Sequence, residues 1–257
     1  MRPAVSVLMN CLNGARYLGE ALDSVCRQTV SDWEVLFWDD ASRDGSAAIA
    51  RSYGSRLRYF RGPGGQPLGT SRQLALGQAE GPYLAILDVD DRWGPQKLSQ
   101  QLSYLDRFPA VGLLASDCWL IDAEGHGRRR FFERTPFPDT PDRYRRLLTG
   151  SNFLPAPTLV FRTDLVRRVG GFRPYQYAEL YDLCLRVAQV SEVEALPAPL
   201  ASYRLHAGNR GGAGCVGMTR EVLAIMRSHR AGATLGQYVR EGALRARLGM
   251  QHLYARA

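Results

Sequence analysis

Cysteine is sparse and unpaired in this chain, and that removes several classes of protein at once. Cys11, Cys26, Cys118, Cys184 and Cys215 are odd in number, widely spaced and set among mostly apolar neighbours. No Cys-x-x-Cys occurs, so the pattern reads as reduced thiols of a cytosolic protein, not as a disulfide scaffold or zinc site. Long hydrophobic runs are missing as well. The apolar part of the first nine residues is too short for a signal peptide or membrane span, and no later run reaches that length. The expected setting is the cytoplasm, with at most peripheral contact at the inner face of a membrane. A nucleophile elbow, a zinc-binding histidine pair and an EF-hand loop are all absent. The glycine-rich stretch from Gly62 to Gly69 carries Pro67 where a dinucleotide fingerprint needs its last glycine. With P-loop spacing read from Gly64 to Gly69, Thr70 stands where the phosphate-binding lysine belongs.

What remains is an ordinary globular composition: 257 residues, 45% hydrophobic and 23% charged. That length suits one large domain, or a domain with a small appendage. A net charge of +8 points to an anionic partner. Apolar runs at Val5–Met9, Glu34–Trp38, Leu57–Phe60 and Tyr83–Leu87 read as strands. Segments of helical periodicity separate them, so the first half predicts a parallel α/β sheet covered on both faces. Asn13 is placed to cap the first helix, and Ser42 or Asp44 the second. The second half is less regular. It offers strands at Val111–Ser116 and Thr158–Arg162, an edge strand including Phe131 and Phe132, and a helix over Asp142–Leu148. A clear amphipathic helix runs from Glu179 to Val190, with Leu180, Leu183, Cys184, Val187 and Val190 on its apolar face. Glu179, Asp182 and Arg186 share its polar face, where Asp182 and Arg186 are spaced for an i,i+4 pair.

Asp88, Asp90 and Asp91 follow directly on the fourth strand. In a wound α/β sheet ligands sit beyond the carboxyl ends of strands, where Asn10, Asp40 and these acids fall. Three carboxylates so close repel one another unless a cation or base neutralises them, and Mg²⁺ or Mn²⁺ favours one or two carboxylates plus substrate phosphates. A lone Asp-x-Asp is more often a polar turn, so the rest of the chain must decide. Asp39 and Asp44 read as turn and capping residues.

Val5–Gly14, Ala21–Thr29, Trp38–Ser46, Leu87–Leu98, Gly170–Phe172, Ala178–Arg186 and Tyr203–His206 follow one another in order. Together they resemble the family-2 glycosyltransferases of the GT-A fold over roughly residues 4 to 206. The resemblance implies a nucleotide-diphosphate sugar donor, a divalent metal (Mn²⁺ or Mg²⁺) and inversion at the anomeric carbon. Carried over position by position, it puts Asn10, Leu12 and Asn13 at the nucleotide, with Asp40 accepting a hydrogen bond from the base. Leu12 stands where relatives have an aromatic. Arg72 matches an arginine near the nucleotide, Asp90 a residue near the ribose and a metal contact, Asp91 the main metal ligand, and Asp88 the first acid of the motif. His206 falls where some relatives contact the diphosphate or metal.

The family places its catalytic base in an acidic pair opening the helix that begins here near Glu179. In this chain the pair reads Glu179-Leu180, so Leu180 occupies the usual base position. Glu179 is the expected substitute base and Asp182 the next candidate. The implied function is transfer of a sugar to an acceptor hydroxyl of a glycan, lipid or protein, in bacterial polysaccharide or glycoconjugate assembly. The alternative is a nucleotide-sugar-binding pseudoenzyme without an effective base. Nucleic acid is not an expected partner, and Arg-rich stretches such as 128–130 and 143–146 are candidates for an anionic acceptor or membrane surface. The expected layout is a transferase domain over 1–215, with a nucleotide and metal half to about 118 and an acceptor half beyond it. A helical extension over 216–257 completes it.

Overall fold

The computed structural model describes residues 2–149, 152–209, 215–229 and 243. In chain order the first half runs β1 (Val5–Cys11), α1 (Ala15–Cys26), β2 (Trp33–Asp39), α2 (Ser46–Arg51), β3 (Leu57–Arg61), α3 (Leu68–Gly77) and β4 (Tyr83–Ile86). It continues with β5 (Arg92–Trp93), α4 (Lys97–Arg107), β6 (Val111–Ile121), β7 (Gly127–Arg130), α5 (Phe131–Arg134) and α6 (Arg143–Thr149). After a 3₁₀ turn at Ala156–Thr158 come β8 (Val160–Arg162), α7 (Thr163–Arg168), α8 (Glu179–Ala188), β9 (Glu192–Arg204) and α9 (Val216–Ser228). The remainder of the expected C-terminal helical segment lies outside the described residues.

The strands form one mixed sheet in the order β3-β2-β1-β4-β8-β6-β9-β5, with β7 paired to β6. β1 pairs in parallel with β2 on one side and β4 on the other. The chain order therefore reverses at β1, which opens a crevice beyond its carboxyl end. Alternate residues of β1 and β2 enter two different cores. Leu8 and Leu36 face the core shared with α3, α7 and α8, whereas Val7, Met9, Val35 and Phe37 face that of α1 and α4. Burial on both faces explains why these strands read as continuous apolar runs.

Several boundaries differ from expectation for local reasons. Phe131 and Phe132 open the short helix α5, because β7 ends at Arg130, whose backbone N–H donates to the Glu133 carboxylate at 3.2 Å. Gly14, not Asn13, precedes α1 as its cap residue, and Gly45 precedes α2. Asp44 still serves both starts, accepting from the N–H of Ala15 and of Ser46 at 3.0 Å each. The polar face of α8 is not solvated: Glu179, Asp182 and Arg186 are all buried, while Val190 is 62% exposed beyond the helix end. α9 is no appendage to the sheet. Its Ile225 and Met226 belong to the same core as Leu8 and Leu183, so the expected boundary at 215/216 is not a packing boundary.

Candidate active site

The carboxyl ends of β1, β2 and β4 open onto a cleft of about 790 Å³, closed on its far side by α3, α8 and α9. Asn10, Leu12, Asn13 and Asp40 line one end. Asn13 adopts a left-handed backbone, φ 55°, and ties two loops together. Its N–H donates to Ser42 Oγ at 2.9 Å and its Oδ1 accepts from Arg43 N–H at 2.8 Å. Ala41 is also left-handed, φ 61°, a conformation that costs an L-residue about 1–2 kcal/mol. Asp39 beneath it is structural. It accepts from Ser42 N–H and the Tyr59 hydroxyl. Burial raises its pKa, but these hydrogen bonds and Arg61 outweigh that and hold it low. Both amide atoms of Asn10 and Oδ1 of Asp40 are buried with no partner among the described residues. Such groups are costly to leave unmade, so this end of the cleft suits a ligand that brings both hydrogen-bond donors and acceptors. Leu12, 42% exposed, sits at the rim.

At the middle of the cleft α3 delivers Arg72, whose side chain is almost wholly buried. Its guanidinium donates to Asp88 Oδ1 at 2.5 Å and to Glu179 Oε1 at 2.7 Å, joining the β4 loop to the start of α8. Burial opposes the charge of Arg72, and the two carboxylates more than reverse that, raising its pKa. Burial raises the pKa of Glu179 and Arg72 counters it, with a net upward shift. Oε2 of Glu179 has no partner among the described residues. Leu180 also lines the cleft, so the position that the family resemblance assigns to an acid is filled by an apolar side chain. Asp182 does not line it. Its carboxylate is fully buried between Arg186 at 2.7 Å and Arg173 at 3.2 Å, which makes it a structural ion pair and removes it as a candidate base.

The acids after β4 separate by direction. Asp88 and Asp90 face the cleft, and Asp90 Oδ2 lies 2.9 Å from His206 Nε2. His206 Nδ1 accepts from Gly208 N–H at 3.1 Å, which places the imidazole proton on Nε2, toward Asp90. Asp91, assigned by resemblance as the main metal ligand, is only 1% exposed and lies beneath the loop. Its Oδ1 accepts from Arg204 N–H at 2.8 Å. Burial, then the charges of Asp90 and Asp88, push its pKa well up. Burial, then the charge of Asp88, raises the pKa of Asp90, and the hydrogen bond with His206 only partly offsets them. Among the described residues no three ligating side chains converge as a ready-made metal cage. Two cleft-facing carboxylates, Asp88 and Asp90, nevertheless fit a hard divalent cation that completes its shell with phosphate oxygens and water.

Sequence reading missed the support of this loop. Arg204, at the end of β9, donates from Nε to the Asp90 carbonyl at 2.8 Å and from its guanidinium to the Ala123 carbonyl at 3.0 Å. It also pairs with Glu20 of α1. Tyr17 packs beneath, its ring 4.5 Å from the Arg204 guanidinium and 5.2 Å from the His206 ring. The strand carrying Arg204 was the missing signal, since Arg204 precedes His206 by two residues in a stretch already singled out. Beyond Glu179 the cleft turns apolar, with Phe131, Leu154, Leu159, Met218 and Val222 along it.

A wound sheet with this crevice, and acids at the end of its fourth strand, is the GT-A fold. TarS of S. aureus in complex with UDP-GlcNAc has it, at TM-score 0.69 and 19% identity over 96% of this chain and 70% of that one. The mannosyltransferase PcManGT from Pyrobaculum calidifontis, in complex with GDP-Man and Mn²⁺, matches at TM-score 0.67 and 20% identity. That match covers 96% of this chain and 70% of PcManGT. The chain belongs to glycosyl transferase family 2, whose model matches residues 6–170. Among curated relatives, the Bacillus subtilis protein provisionally named glycosyltransferase EpsE is 28% identical over 175 residues. That alignment takes in 66% of this chain and only 60% of EpsE.

Proposed function

We propose that this chain transfers a sugar from a nucleotide-diphosphate sugar to an acceptor hydroxyl with inversion, in the assembly of a bacterial polysaccharide or glycoconjugate. One observation carries the reading: unpartnered Asn10 and Asp40 share a cleft with the Asp88, Asp90 and His206 cluster. The first pair suits a nucleobase and the second a metal-bound diphosphate. Asp90 and Asp88 would hold Mn²⁺ or Mg²⁺, which when bound takes up the charge of the departing diphosphate, with His206 donating to Asp90 and steadying it. Asp91 supports the loop. Glu179 is the base. Its free Oε2 takes the proton of the acceptor hydroxyl as that oxygen bonds to the anomeric carbon and the bond to the diphosphate breaks. Burial keeps its proton affinity high while Arg72 keeps an ionised form available. The apolar end of the cleft is the acceptor side, and exposed Arg145 and Arg146 of α6 offer a basic surface for an anionic acceptor or membrane. Arg143 contributes less to such a surface, because it packs over Phe137 and lies 3.5 Å from Glu194.

Calorimetry with UDP, GDP and dTDP, with and without Mn²⁺, tests this reading. One nucleotide should bind in a Mn²⁺-dependent way, and Asp90→Asn should weaken that binding at least tenfold while Asp91→Asn retains it. No binding by any of the three, or metal-independent binding unchanged in Asp90→Asn, would sink the proposal. Leu180 favours a second reading, a donor-binding pseudoenzyme. It predicts the same nucleotide binding but no nucleotide release from a bound donor, in wild type or in Glu179→Gln.

A further inference from the structure

Glu221, in the middle of α9, accepts hydrogen bonds from three consecutive backbone amides of another segment. They are Gln176 at 2.8 Å, Tyr177 at 2.8 Å and Ala178 at 2.9 Å. These amides lead directly into α8, whose first residue is Glu179. The amide of a helix's cap residue needs an acceptor from outside the helix. Glu221 supplies one for Ala178 and for the two amides before it, and sets a negative charge beside the helix start. The same segment is locked to α3. Gln176 Oε1 accepts from Leu68 N–H at 3.1 Å, and the Tyr175 carbonyl accepts from Gly69 N–H at 2.8 Å. A Cβ at Gly69 would lie 1.8 Å from the Arg173 carbonyl oxygen, so the two backbones touch. One turn further along, α3 carries Arg72. Both members of the Arg72–Glu179 pair therefore stand on elements joined through residues 173–178, and Glu221 fastens that stretch. Its neighbours Met218 and Val222 line the cleft itself.

We propose that Glu221 is a positioning residue for sugar transfer, setting the first turn of α8 so that Glu179 presents its free oxygen to the cleft. The inference rests on the assignment of Glu179 as base. Its test compares wild type, Glu221→Gln, Glu179→Gln and the double variant, reading UDP release from UDP-GlcNAc and GDP release from GDP-mannose with Mn²⁺ present. Water serves as acceptor. Glu221→Gln is nearly isosteric but turns an NH₂ toward amides that need an acceptor. It should lower kcat at least tenfold with the donor KM within twofold. The double variant should be no slower than Glu179→Gln, because both changes act through one group, and Glu221→Asp should remain faster than Glu221→Gln. Wild-type kcat in Glu221→Gln beside a slow Glu179→Gln overturns the positioning role and leaves the base assignment standing. Losses that multiply in the double variant also overturn it. A Glu179→Gln as fast as wild type overturns the base assignment, and the positioning role with it. Amide hydrogen exchange gives a readout that needs no donor. Residues 176–179 should exchange at least tenfold faster in Glu221→Gln, or in Glu221→Asp if the first variant fails to fold. Unchanged protection there overturns the proposal.

Discussion

Leu180 and Glu179 pose a question that one substitution can answer. The resemblance puts a carboxylate at residue 180, and the structure shows that its side chain faces the cleft. Glu179, its neighbour, reaches the same space while bound to Arg72 at 2.7 Å. If the missing carboxylate has moved by one residue, Leu180→Asp in a Glu179→Gln background should recover part of the lost activity. Removing the base should cost about 10²- to 10⁴-fold in nucleotide release, and the second change should restore at least tenfold of that. No recovery, in a protein that still binds nucleotide, would mean that a carboxylate at residue 180 does not reach the proton that Glu179 takes. The identity of these residues was legible in the sequence, but their directions were not. Asp88, Asp90 and Asp91 all read as acids at a strand end, and only the structure turns Asp91 away from the cleft. What turns it is a hydrogen bond to Arg204, 113 residues further along, which no local pattern encodes.

Elements show the same division between local and distant causes. β1, β2 and β4 were legible because each is buried on both faces, whereas the edge strand β3 is only partly buried. β9 escaped because Pro197 and Pro199 interrupt it, and proline within a run argues against a strand. The structure accommodates it where pairing with β6 is already irregular, between Ser116 and Cys118. α4 holds a different surprise at its first turn. Lys97, the chain's one lysine, is fully buried, and its Nζ has no hydrogen-bond partner among the described residues. It lies 4.2 Å from the centre of the Trp93 ring, and burial pushes its pKa well below 10.5. The unfolded chain therefore binds a proton that the folded chain resists, so stability should rise with pH from the folded pKa up to about 10.5. Lys97→Met removes that burden at similar volume. It should stabilise the protein by about 1–2 kcal/mol at pH 7, with the advantage shrinking toward pH 10. Thermal melting across that range checks it, and a destabilised variant would mean that the contact with Trp93 outweighs desolvation.

At the scale of the whole molecule, the sequence divided the chain where the structure does not. The expected division at 215/216 sets the helix after it apart as an extension, because nothing local tells an amphipathic helix which core it joins. α9 joins the main one. Leu223, Ile225 and Met226 are each at most 3% exposed. Burying a side chain of that size contributes about 1.5–3 kcal/mol, so the three together supply roughly 5–9 kcal/mol as an upper bound. That is comparable with the entire stability of a typical domain, about 5–15 kcal/mol. A chain ending at residue 209 should therefore lose its cooperative thermal transition, in addition to losing the acceptor that Glu221 provides for the start of α8. Circular dichroism melting decides the matter. A sharp transition at the temperature of the full chain would mean that residues 216–229 dock without contributing to the fold. Loss of the transition would make the C-terminal helix part of the catalytic unit itself, holding the cleft wall and the first turn of α8 in the same act as completing the core.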